Sequence, residues 1–176
     1  MSRKIRVLVP AEGGPAGAVA THVKALQGAN QTVLYVTADR PQRQLASTLE
    51  AAGCDVAQLH FLDVVSTLDG RLPAVKAPNT TYLPSPTMLE MMAMRIEQIA
   101  SRLPAPVVVV DSLNTLALYN GPGAVQEFSH YLANRLRTRG VACDFVVRDS
   151  KDGRALGERV ATFADEQIPI TPGANA

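Results

Sequence analysis

Cysteine and histidine are scarce in this chain, two and three among 176 residues. Cys54 and Cys143 lie far apart, each near apolar residues, and read as buried, reduced thiols. Two cysteines cannot build a zinc site alone, and His22, His60 and His130 fall in three separate elements. None has a serine and an acid at a spacing that suggests a triad, so they read as helix-surface or strand residues. An excess of charge of one sign is also lacking: 17 Lys+Arg stand against 16 Asp+Glu. That removes the bulk electrostatic case for nucleic acid or an anionic membrane. No apolar run reaches the ~18 residues of a membrane span. The opening "MSRKIRVLV" enters a strand directly and makes a poor signal peptide. The cytoplasm is the expected compartment.

What is present is a globular composition, 47% apolar and 19% charged. One domain over 1–170 is expected, with a frayed tail over 171–176. Short β-branched runs alternate with helical patterns. Strands are expected at Ile5–Val9, Thr32–Thr37, Leu59–Val65, Pro106–Ser112 and "ACDFVVRD". Helices are expected from Ala16 to Leu26, from Pro41 to Gly53, over 87–102 and from Ala124 to Arg139. "ERVATFADEQIPI" reads as a short helix and a last strand. Ser66–Pro86, with four prolines, reads as a small hairpin or a functional loop. Met88, Met91, Met92 and Met94 read as gap-filling core and partner surface. The alternation means a mainly parallel sheet with helices on both faces. Ligands of such folds bind beyond the carboxyl ends of the strands. The segments to watch are therefore Pro10–Gly17, Ala38–Arg40, Ser66–Gly70, Asp111–Asn114 and Arg148–Arg154.

Two of these segments carry a chemical pattern. "VLVPAEGGPAGAVATHV" has the layout of a phosphate loop: an apolar strand, a glycine-rich turn, then an amphipathic helix. A Walker A loop needs glycines five apart, followed by Lys and Ser/Thr. Gly13, Gly14 and Gly17 are one, three and four apart. If Val9 ends the strand, Gly17 and Ala18 fall near the lysine and hydroxyl positions. Glu12 adds a charge of the wrong sign for a phosphate, and Lys24 lies about two turns further along the helix. "VVVVDSLNTL" looks like a Walker B element, with Asp111 at the sheet edge where it can hold magnesium through water. Asp111 or Ser112 can equally cap the following turn.

"TVLYVTADRPQRQLASTLEAAGCDV", "LHFLDVVS" and "VVVVDSLNTLALYNGPGAVQEFSHYLANRLRTRGVACDFVV" together resemble the RecA-type ATPase domain of the KaiC and RadA-like families. The match runs from about Ile5 to Ile170. It implies a three-layer α/β/α sandwich with a mainly parallel sheet, in an ATPase that assembles edge to edge. On that pattern Gly13, Gly14, Gly17, Asp111 and Ser112 would meet a nucleotide, if one binds, and Asp111 would hold its magnesium. The family usually has a glutamate after the second strand to polarise the attacking water. The match places Asp39 or Arg40 there; Asp39 is a shorter candidate base, or a cap for the helix at Pro41. A loop after the fifth strand often reaches a neighbouring subunit's nucleotide. Lys151 and Arg154 could do so, or the segment is a solvated turn on Asp152-Gly153.

With the lysine, the hydroxyl and the glutamate all missing, the expectation is a kept fold and a lost chemistry. The expected protein is a pseudo-ATPase with a regulatory, signalling or scaffolding role. It would act as a homo-oligomer or with a related ATPase or regulatory protein. No cofactor is expected, although ATP and magnesium stay open. One alternative is an atypical ATP-binding protein or slow ATPase. Another is a dinucleotide (FAD or NAD) protein, since "EGGPAG" resembles G-x-G-x-x-G with Glu12 in the first glycine's place, and Asp39 follows the second strand.

Overall fold

Four consecutive valines, Val107 to Val110, are all fully buried, as only a strand covered on both faces allows. They form the middle of β5 (Pro106–Asp111), the central strand of the sheet. The computed structural model describes residues 4–11 and 15–173. Around β5 lie β1 (Ile5–Pro10), β2 (Thr32–Thr37), β3 (His60–Asp63), β4 (Thr80–Tyr82), β6 (Ala142–Val146) and β7 (Glu166–Ile170). Among the described residues these seven strands form one sheet in the order β4-β3-β2-β5-β6-β1-β7, with every pairing parallel.

Helices α1 (Pro15–Gly28) and α2 (Gln42–Ala51) cover one face. The other carries α3 (Leu89–Ala100), α4 (Leu113–Asn120), α5 (Pro122–Thr138) and α6 (Lys151–Ala161). Strand side chains alternate accordingly: Val107 and Val109 pack toward α1 and α2, Val108 and Val110 toward the opposite layer. This is the expected α/β/α sandwich. Both cysteines are buried and free, as their apolar surroundings suggest. Among the described residues no helix is long and apolar enough to cross a membrane.

Four details depart from the sequence expectations. The segment 66–86 holds no hairpin; its Thr80–Tyr82 joins the sheet edge as β4, parallel to β3. Residues 113–120 form a helix, α4, started by Ser112, whose Oγ accepts from the Thr115 N–H at 3.3 Å. Asp152-Gly153 is no turn but the first turn of α6, capped by Ser150 Oγ on the Gly153 N–H at 3.0 Å. Finally, Thr171–Gly173 lie within the described residues. The Gly173 N–H donates to Thr21 Oγ1 at 3.2 Å, and Pro172 packs beside Gly17 in the first turn of α1. Residues 174–176 lie outside the described residues.

Candidate functional site

Because β2, β5 and β6 are neighbours and parallel, their carboxyl ends open side by side. Each contributes one charged residue at or just beyond its end: Asp39 after β2, Asp111 on β5, Arg148 after β6. The three side chains meet. One Arg148 nitrogen, Nη2, donates to Oδ2 of Asp39 and, at 3.1 Å, to Oδ1 of Asp111. A guanidinium thus sits between the two carboxylates that the ATPase resemblance offers as nucleotide-site acids.

All four carboxylate oxygens of the two aspartates have a partner. Asp111 is buried, and its Oδ2 accepts from the hydroxyl of Tyr35, a fully buried β2 residue. Asp39 Oδ1 accepts from Ser112 Oγ at 2.9 Å and from Thr115 Oγ1. Burial pushes the Asp111 carboxyl above its usual range, against the opposing pull of the Tyr35 hydrogen bond and the nearby Arg40 charge. Burial, with the Asp111 charge second, pushes the Tyr35 phenol well up, so it stays a donor. Burial also lowers Arg148 from the usual arginine value. The Arg148 side chain is only 22% exposed, and its Nη1 is buried with no partner among the described residues.

The backbone of Arg148 is fixed as tightly as its head. Its N–H donates to Asn114 Oδ1 on α4 at 2.7 Å. Its carbonyl accepts from the Ser150 N–H at 2.9 Å and lies against Gly153 in the first turn of α6. A Cβ at Gly153 would stand 1.9 Å from that oxygen. The glycine is there for proximity, letting a helix start directly on the arginine it positions.

The sequence candidates fare differently. Asp39, Asp111 and Ser112 are brought together. Asp39 does not cap α2, which has no side-chain cap; the Gln42 N–H is met instead by Asp63 Oδ2 at 2.7 Å. Ser112, not Asp111, caps α4. Gly17 sits in α1 beside Pro172, while Gly13, Gly14 and Glu12 lie outside the described residues. Lys24 lies against Gly53 at the end of α2, away from the strand ends. Arg154 pairs with Asp149 in its own segment, and Lys151 is exposed. His22 is not a free surface residue; its Nε2 meets buried Asp144 at 2.8 Å, beside the bidentate Arg6–Asp144 pair at 2.6 and 2.8 Å.

In this arrangement a guanidinium stands beside Asp111 where a magnesium ion was expected. Both Asp111 oxygens are already bonded, one to a neutral hydroxyl and one to a cation. Among the described residues no group of three or more His, Cys, Asp or Glu could hold a metal. Arg148 was reachable from the sequence only as the first residue of a strand-end segment. Nothing in "VVRDS" says that its head turns back across β5 to Asp39.

A model of the DUF7504 family, described as a family of unknown function, matches residues 6–165. No curated protein matches the chain. Two solved structures from Pyrococcus horikoshii share its fold. One, the KaiC-like protein PH0186 of strain OT3, superposes with a TM-score of 0.65 at 15% identity, over 96% of this chain and 71% of its own. The other, the uncharacterized protein PH0321 in complex with an unknown peptide, gives 0.71 at 12% identity, over 96% of this chain and 78% of its own. At such identities the likeness is one of fold: KaiC-like, with a parallel sheet.

Proposed function

The chain belongs to the DUF7504 family, and from that premise and the site geometry we propose that it is a pseudo-ATPase: a KaiC/RecA-like fold that acts by binding partners and does not hydrolyse ATP. The observation that carries this reading is the Arg148 guanidinium held between Asp39 and Asp111. A nucleotide site of this fold needs an unoccupied carboxylate for magnesium and cations aimed at the phosphates. Here the acid of the Walker B-like strand already has an internal cation, and the two residues at the lysine and hydroxyl positions, Gly17 and Ala18, supply neither charge nor oxygen. The Walker A loop is degenerate on this reading, and Pro172 packs beside Gly17 in the first turn of α1.

The role is regulatory or scaffolding, in the cytoplasm, with a second copy or a related ATPase or regulatory protein as partner and no bound cofactor. The neighbour PH0321 was captured with an unknown peptide, which makes peptide or protein binding a natural use of the same fold. The test is equilibrium titration of the purified chain with Mg-ATP, ADP, NAD and FAD, alongside phosphate release. We expect no saturable binding and no release above buffer. Tight Mg-ATP binding lost in Asp111→Asn, or turnover lost in Asp39→Asn, would replace this reading with an atypical nucleotide-binding protein or slow ATPase.

A further inference from the structure

Among the described residues, the face formed by α3 and α5 carries three of the five exposed large apolar side chains on helices. Met94 is 67% exposed and Tyr131 51%; Met91 joins them, and Leu118 and Tyr119 project from the neighbouring α4. Between α3 and α5 runs a groove of about 870 Å³, lined among others by Met88, Met91, Met94, Phe128 and Tyr131. A second hollow, of about 330 Å³, continues it past Met94 and Tyr131, which line both. Contiguous apolar surface of this kind marks an interaction site.

The charges along this groove say what fits it. At one end stand Glu90 and Glu127, both exposed, with no ion pair among the described residues. At the other end Arg135 and Arg139 both engage the single carboxylate of Glu97, at 2.9 and 3.0 Å. Two cations on one anion leave that end positive. Glu127 lies four residues before Tyr131 and Arg135 four residues after it, about 6 Å to either side along the helix axis. The pattern is acid, apolar centre, base, with matching steps.

We propose that this face pairs with the same face of a second copy, about a two-fold axis through Met94 and Tyr131. Such an axis reverses the groove of one copy on the other. It lays the Glu90 and Glu127 end against the Arg135 and Arg139 end twice over, and buries the methionines and Tyr131 between them. An isologous contact needs this self-complementarity. The pairing lies on a helical layer, not along the sheet edge that the ATPase resemblance implies. It deepens the partner-binding reading by naming surface and partner, and its test uses no nucleotide, so the two can fail separately.

Sedimentation of the full chain across the micromolar range should show a concentration-dependent dimer. Glu127→Arg should weaken it by about tenfold or more, and Met94→Glu should abolish it, with circular dichroism unchanged in both. Met94→Cys should give a covalent dimer on mild oxidation, because Cys54 and Cys143 are buried. A chain that stays monomeric throughout overturns the pairing, as does a dimer indifferent to both charge variants and uncrosslinked by Met94→Cys. Monomer that instead takes up an added peptide or another protein on this face also overturns it.

Discussion

Asp111 illustrates how much a single side chain decides. Its position at the end of an all-valine strand was legible from the sequence; its partners were not. Tyr35 lies 76 residues away in sequence and Arg148 lies 37 away, and only the β2-β5-β6 adjacency brings them together. The consequence can be measured through pH. Burial raises the folded pKa of Asp111 above its ordinary 3.8. At neutral pH the ionised form is therefore held at a cost, and that cost is relieved as pH falls through the raised value. Between that value and 3.8 the folded state binds more protons than the unfolded one, so stability from this group increases on acidification. Relative to Asp111→Asn, the wild type should gain about 1.4 kcal/mol for each unit of the raise. Parallel urea titrations from neutral pH down to about pH 4 check this; a difference that is flat or shrinks would refute the sign.

At the scale of elements, periodicity found most of the long helices and strands, and their bounds shifted by only a few residues. It failed where local chemistry sets the start of a helix. Ser112 and Ser150 each begin one by accepting a backbone N–H three residues on. Asp152-Gly153 looks like a turn because glycine usually serves conformational freedom; here it serves space. The test is Gly153→Ala. The new Cβ meets Arg148 O at 1.9 Å and Asn114 Nδ2 at 2.8 Å, and a backbone oxygen in that clamp cannot step aside cheaply. Helix α6 must lift off, at a cost of about 3 kcal/mol. The urea midpoint should drop with an unchanged slope. Stability within about 0.5 kcal/mol of wild type would show that the approach is looser than described. The edge strand β4 is illegible in the sequence for another reason: its three residues are only half-buried and carry no alternation strong enough to stand out among prolines.

The whole molecule is a KaiC-like sandwich whose layers follow from strand and helix alternation, so the architecture was legible early. Its charge balance, net +1, was legible too. What a sequence cannot display is how charges from separate strands meet at the carboxyl ends of the inner strands. There the fold brings Arg148 between Asp39 and Asp111, the acids that the ATPase resemblance assigns to a magnesium nucleotide. The direct test is nitrogen-15 NMR of the Arg148 guanidinium in the intact chain, assigned by comparison with Arg148→Lys. Held between Asp39 and Asp111, its signals should be resolved, slow to exchange, and unmoved by a large excess of Mg-ATP. Guanidinium signals that broaden and shift saturably as Mg-ATP is added would contradict the account.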